Sequence, residues 1–172
     1  MKKLLLIFCS FFVFQLAMAQ KNTVYIVRHA EKDLTDTDSR NPELSFEGKQ
    51  RALNLRRELR GKDIDVVFST DYTRTRNTAG PLKDYRGISL VIYNAAKLGD
   101  LVDLVKKDYE GKNVLIVGHS NTILETVAAF GGEKPFDSVS EDIYDNLFRV
   151  TINGDKVAVS ASKYGKKSEI KN

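Results

Sequence analysis

Cysteine is nearly absent from this chain. The single example, Cys9, falls inside the opening stretch MKKLLLIFCSFFVFQLAMAQ. That stretch begins with Lys2 and Lys3, runs apolar from Leu4 to Phe14, and closes on Ala17-Met18-Ala19. It has the pattern of a cleavable secretory signal. Residues 1–19 are therefore expected to be cut away between Ala19 and Gln20, leaving residues 20–172 as one exported domain, periplasmic or extracellular. The apolar run falls short of the about 20 residues a bilayer-spanning helix needs, so no stable membrane insertion is expected after cleavage. Cys9 sits in mid-run and not beside the cut, which argues against lipid attachment. What remains has no thiol. Cysteine catalysis, disulfides and thiolate metal sites are all excluded.

Other features are missing as well. There is no GxxxxGK[ST] nucleotide loop and no H-x-x-x-H metal spacing. We find no internal repeat, low-complexity segment or Pro/Ser-rich linker, so a single domain is the economical reading of 172 residues. Excess charge is small. The full chain has 27 basic and 23 acidic residues; losing Lys2 and Lys3 leaves 25 against 23, or +2. That excludes a polybasic nucleic-acid binder. The 42% apolar content is enough for a sizeable core.

Strand-like and helix-like patterns alternate along the chain. TVYIV (Thr23–Val27), DVVFS (Asp65–Ser69), ISLVIY (Ile88–Tyr93) and NVLIVG (Asn113–Gly118) read as strands. After the first, Ser45 suits an N-cap, and Ala52, Leu55 and Leu59 recur at helical spacing up to a stop at Gly61. Asp71 is expected to cap a helix running toward Asp84, disturbed at Gly80-Pro81. Leu98, Leu101, Val102 and Val105 mark a third helix. Ile123, Leu124, Val127 and Ala128 mark a fourth, ended by Gly131-Gly132. LFRVTI and KVAVSAS, separated by Asn153-Gly154, read as a hairpin. The alternation predicts an α/β fold: a three-layer sandwich with a mostly parallel sheet, helices on both faces and a C-terminal antiparallel hairpin. Ligands of such sheets bind beyond the carboxyl ends of the strands, which makes the polar stretch Lys32–Pro42 a candidate wall of a site. The lysine-rich tail KYGKKSEIKN reads as a solvated end.

Histidine is scarce, and its placement is informative. The two present, His29 and His119, each follow an apolar strand directly, in TVYIV-RH and NVLIV-GH. Both are expected at one carboxyl edge, although 90 residues separate them. STDYTRTRNTA leaves the same edge, with Arg74 and Thr78 on one helical face at i,i+4. Arg76 is assigned to the solvated face, as are Arg56, Arg57 and Arg60 of the preceding helix. One edge thus gathers Arg28, Arg74, His29, His119 and Glu31. Arginine forks suit phosphate oxygens. A neutral imidazole is a competent nucleophile toward phosphorus, and a second, protonated imidazole stabilises a transferring phosphoryl group. A helix starting near Ser120 would offer its amides to a further oxygen.

At this point the residues resemble a known family, the histidine phosphatase, or phosphoglycerate-mutase-like, superfamily. VRHAEK matches its Arg-His-x-Glu signature, and PELSFEGKQRA its Leu-Ser/Thr-x-x-Gly-x-x-Gln/Arg-Ala helix start. FSTDYTRTRNTA matches its arginine helix, and IVGHS its second-histidine turn. Four motifs in order span Thr23 to about Gly132. The chain is most similar to the compact branch that includes SixA-type phosphohistidine phosphatases. The resemblance implies a phosphoric monoester hydrolase working through a phosphohistidine on His29, with Arg28, Arg74 and His119 forming the rest of the phosphate pocket; the signal-like opening would make it an exported one. It implies small phosphorylated substrates, and no metal or organic cofactor.

One departure concerns the acid that protonates the leaving oxygen. The segment after the third strand, YNAAKLGDLVD, holds no glutamate, and His119 is followed by serine where other members have aspartate. Glu31, Asp100, Asp103, Glu141 and Asp142 stay open as the acid, as does a site with none, which would favour good leaving groups. Glu31 and Ser120 are also expected to touch substrate. Two alternatives stand beside the enzyme: a non-catalytic module that binds phosphate ligands, and a metal-dependent hydrolase using both histidines with an acid. The arginines beside the would-be ligands repel a cation and argue against the latter.

Overall fold

The computed structural model describes residues 21–35 and 40–170. The expected signal and its cut lie outside them, as does part of the Lys32–Pro42 loop. The strands are β1 (Asn22–Arg28), β2 (Ile64–Ser69), β3 (Ser89–Ile92), β4 (Asn113–Gly118), β5 (Asn146–Asn153) and β6 (Lys156–Lys163). The helices are α1 (Phe46–Leu59), α2 (Thr73–Arg86), α3 (Leu98–Asp108) and α4 (Ile123–Ala129). One sheet runs β3-β2-β4-β1-β5-β6. Its first four members are parallel, and β5 and β6 close it antiparallel as the predicted hairpin.

Both faces of the sheet are covered, which is why the central strands are apolar throughout and do not alternate with polar residues. Val24, Ile26, Val114, Ile116 and Phe68 pack with Leu101, Val102 and Val105 of α3 and Ile123, Leu124 and Val127 of α4. The other face puts Tyr25, Val27, Leu115 and Val117 against Leu55 and Leu59 of α1 and Ala79 and Leu82 of α2. A register shift between Ile64 and Val66 turns Ile64 and Val67 to this same face.

Ser45 caps α1 as expected, its hydroxyl accepting from the Gly48 amide at 3.1 Å. Gly48 itself is set by close approach: a Cβ there would overlap the Glu31 carbonyl oxygen. Gly48→Ala should therefore cost about 3 kcal/mol, readable as a lowered urea midpoint at unchanged slope. A change below about 0.5 kcal/mol would show that this backbone contact can yield.

Three expectations are corrected. Helix α2 starts after Tyr72, not Asp71, and runs unbroken through Gly80-Pro81. Thr78, Ala79 and Leu82 are buried on both sides of the proline. That packing outweighs a local cost of about 3 kcal/mol. Helix α4 begins at Ile123, because the Thr122 hydroxyl takes up the His119 amide and a turn intervenes. The tail is not free through Ser168. Tyr164 is buried, and Ser168 bonds the Tyr144 amide at 2.9 Å and the Asp145 carboxylate at 3.0 Å.

The four parallel strands end together at Arg28, Ser69, Ile92 and Gly118. Cross-strand bonds continue past those ends, from the His29 amide to Gly118 and from the Tyr93 amide to Ser69, both at 2.9 Å. Because β5 runs against β1, its first residues lie at this edge too, and the loop before it, residues 140–145, arrives there.

Candidate active site

A cavity of about 900 Å³ opens at that edge, lined by His29, Arg74, His119, Ser120, Glu141 and Lys32 among others. The imidazoles of His29 and His119 meet edge to face with centroids 5.4 Å apart.

Hydrogen bonds fix both tautomers. His29 Nδ1 lies 2.8 Å from the Ala30 carbonyl, which can only accept, so Nδ1 carries the proton and Nε2 keeps its lone pair. The ring is 4% exposed. Burial, then the charges of Arg28 and Arg74, pushes its pKa down to about 3, so it is neutral at neutral pH. His119 Nε2 is 2.9 Å from the Thr70 hydroxyl. Thr75 spends its own proton on a backbone carbonyl and Thr70 donates to Thr75, which leaves Thr70 to accept from His119. Burial, then Arg74 and Arg28, pushes His119 down to about 4. The second imidazole is therefore neutral in the free protein; an anion beside it would be needed to charge it.

Arg28 is placed differently from expectation. It is 1% exposed and lies beside the cavity, not in its wall. Its Nη1 donates to the carbonyls of Ser140, Glu141 and Ile143, and its Nη2 pairs with the Glu141 carboxylate. The guanidinium lies over the Tyr144 ring at 4.1 Å. Arg74 enters the cavity with its guanidinium 4.3 Å over Tyr72, whose ring stands edge-on to His119. The Nε–H groups of Arg28 and Arg74 are buried with no hydrogen-bond partner in the protein. A buried donor left unpaired costs about 1–3 kcal/mol, so an anion reaching either one recovers that cost.

Glu31 faces another way. Arg51, 4% exposed, holds its carboxylate in a fork, with Nη2 to Oε1 at 2.7 Å and Nε to Oε1 at 2.9 Å. Glu31 lines a second cavity instead. The reason is local: Arg51 follows the Ser45 cap by less than two turns, and the close approach at Gly48 brings it against Glu31. Asp100 and Asp103 are exposed on α3 and outside the cavity. Ser120 lines the cavity, with its hydroxyl given to Glu141. Arg76 is exposed and pairs with Asp71. Thr78 ties α2 to the segment after β1, accepting from the Ala30 amide at 2.8 Å.

Sequence reading missed Thr70, Tyr72, Tyr144 and the Glu31–Arg51 pair. Thr70 and Tyr72 stand in the same post-strand segment as Arg74 and were open to notice. Tyr144 gave no local signal. Among the described residues, no three His, Cys, Asp or Glu side chains cluster as a metal site, and no helix is long and apolar enough to cross a membrane.

Comparison with curated proteins gives no match. Among solved structures the fold is similar to Bacillus stearothermophilus YhfR (TM-score 0.67, 16% identity, covering 81% of this chain and 95% of that one). It is similar to the protein histidine phosphatase SixA complexed with tungstate (0.65, 16%, 82% and 96%). A mutant phosphoserine phosphatase from Entamoeba histolytica in complex with phosphoserine also matches (0.60, 14%, 83% and 96%). The sequence profile described as histidine phosphatase superfamily (branch 1) matches residues 24–97, the stretch that carries Arg28, His29 and Arg74. The chain is thus similar to the histidine phosphatase superfamily over its first half and shares the fold of SixA around the two-histidine edge.

Proposed function

We propose that the protein is a metal-independent phosphatase that hydrolyses small phosphate monoesters through a phosphohistidine on His29. The observation that carries this reading is the state of His29: a neutral ring with Nδ1–H given to Ala30 and a free Nε2 lone pair, in a cavity shared with Arg74 and His119. Nε2 attacks phosphorus. Arg74, in the cavity with its Nε–H unpaired, suits the phosphoryl oxygens; Arg28 behind the wall adds its positive charge, and His119, charged by the anion's approach, offers a further donor. Water then releases phosphate from His29. The phosphoserine and tungstate bound in two structures of the same fold support small phosphorylated ligands. No cofactor is needed for these steps. The opening segment supports export of residues 20–172, after removal of residues 1–19, to a periplasm or the outside of the cell.

The test is turnover of p-nitrophenyl phosphate by the protein from Gln20 onward with EDTA present, followed by quenching to look for acid-labile, base-stable phosphate on histidine. Turnover with labelled histidine is the expected result. Activity lost to the chelator and restored by a metal would overturn the reading.

A further inference from the structure

We infer that Glu141 is the acid of this site: its carboxyl protonates the leaving oxygen and then takes a proton from the attacking water. The inference rests on the phosphohistidine reading above. Of the acids open on sequence, Glu31 is held by Arg51, Asp100 and Asp103 are exposed outside the cavity, and Asp142 lines the second cavity. Asp71 also lines the histidine cavity, but its ion pair is with Arg76 of α2, which is next to neither histidine in sequence. Glu141 alone of these is joined to the neighbours of both histidines. Its Oε1 accepts from Ser120, the residue after His119, and its Oε2 pairs with Arg28, the residue before His29. The side chain is 73% exposed, so a bound ester can reach it. It comes from the loop before β5, which the antiparallel turn of the sheet delivers to the edge.

The charges around Glu141 set where its proton comes from. Arg28, Lys32, His119, Arg74 and Tyr144 all act on it or are acted on by it. The Ser120 hydrogen bond, then Arg28 and Lys32, holds its carboxyl below the usual range, so it starts ionised. A phosphate ester carries one proton below a second pKa of about 6. The ester binds as the dianion beside the arginines, and the negative charge it brings next to the exposed Glu141 carboxylate draws a proton onto it from solvent. Then the His29 Nε2–P bond forms, the P–O bond breaks, and the Glu141 proton goes to the leaving oxygen. In the second half water attacks phosphorus, the N–P bond breaks, and a water proton returns to Glu141. Phosphate leaves with that proton, and the carboxylate is restored.

A Glu141→Gln variant keeps a side chain that can still meet Ser120 but cannot shuttle a proton. We expect its kcat/KM for an alkyl ester such as glycerol phosphate to fall about 100-fold or more. For p-nitrophenyl phosphate, whose leaving group needs little proton help, it should fall less than about tenfold. Across a series of aryl and alkyl esters, the rate should depend more steeply on leaving-group pKa than in the unmodified protein. Equal loss on both esters would reduce Glu141 to a tie for Arg28 and overturn the inference. A steeper dependence in Asp71→Asn and not in Glu141→Gln would move the role to Asp71. If the unmodified protein turns over neither ester, the phosphatase reading itself fails. If it turns over both and Glu141→Gln leaves the dependence unchanged, only the role of Glu141 fails.

Discussion

Replacing His29 by alanine should lower turnover of p-nitrophenyl phosphate by at least about three orders of magnitude. It should also remove the labelled intermediate while leaving affinity for a phosphate ester within a few-fold. The size of the loss follows from how little else could accept a phosphoryl group. The chain beyond Cys9 has no thiol. The Ser120 hydroxyl is given to Glu141, and Thr70 is tied into a hydroxyl chain with Thr75. His119 commits Nε2 to Thr70. Affinity should persist because the other cationic and donor groups of the cavity, Arg74 and His119, are untouched by the change. Splitting the two readouts tests the nucleophile specifically: equilibrium binding of an unreacted ester to His29→Ala, beside its rate. Residual activity above about 1% with phosphate still attached to the protein would transfer the nucleophile to another group, His119 first. Loss of both rate and affinity would show that His29 shapes the pocket and does not merely react in it.

The sheet was legible in the sequence because its central strands are apolar on both faces and each ends in a turn or a polar residue. The edge of the site was legible for the same reason: two strands hand over directly to histidine, and a third to the segment carrying Arg74. What lay beyond reach was pairing between distant segments. Glu31 sits two residues from His29, so proximity in sequence suggested a chemical role. Arg51 stands at a motif position of α1, yet nothing in either stretch says that the two meet. The structural pair explains both residues at once, as the clamp that fixes α1 against the end of β1. Glu141 is the reverse case. Its surroundings, SEDIYDN, look like any polar loop. Only the antiparallel sense of β5 tells that the loop ends at the carboxyl edge and not the opposite one. Arg28 shows a third kind of limit. Its arrival at the strand end could be read, but not that three loop carbonyls and Glu141 would engage it.

The site should also make the fold sensitive to mild acid, by about 4 kcal/mol between pH 6.5 and 4.5. The sign follows from the two depressed histidines. An unfolded chain titrates His29 and His119 near the ordinary value of 6.5, whereas the folded chain holds them neutral until about 3 and about 4. Above pH 6.5 both states are neutral and the histidines contribute no pH dependence. Below it the unfolded chain binds protons the folded one refuses, so stability falls with pH at about 1.4 kcal/mol per unit for each group. The loss levels off only once pH passes the folded values. His29, almost wholly buried, accounts for roughly 2.3 kcal/mol over those two units; His119 is more exposed and supplies less. Urea unfolding at the two pH values measures the sum, and His29→Asn isolates the larger part: in that variant the loss should shrink to about 1.5 kcal/mol. An unchanged slope would mean that the folded protein accepts a proton on His29 near its ordinary pKa. The nucleophile would then be charged in weak acid, its Nε2 lone pair occupied, and turnover would have to fall over the same interval. A rate that falls more steeply over this interval than titration of the ester alone accounts for belongs with the shallow stability loss.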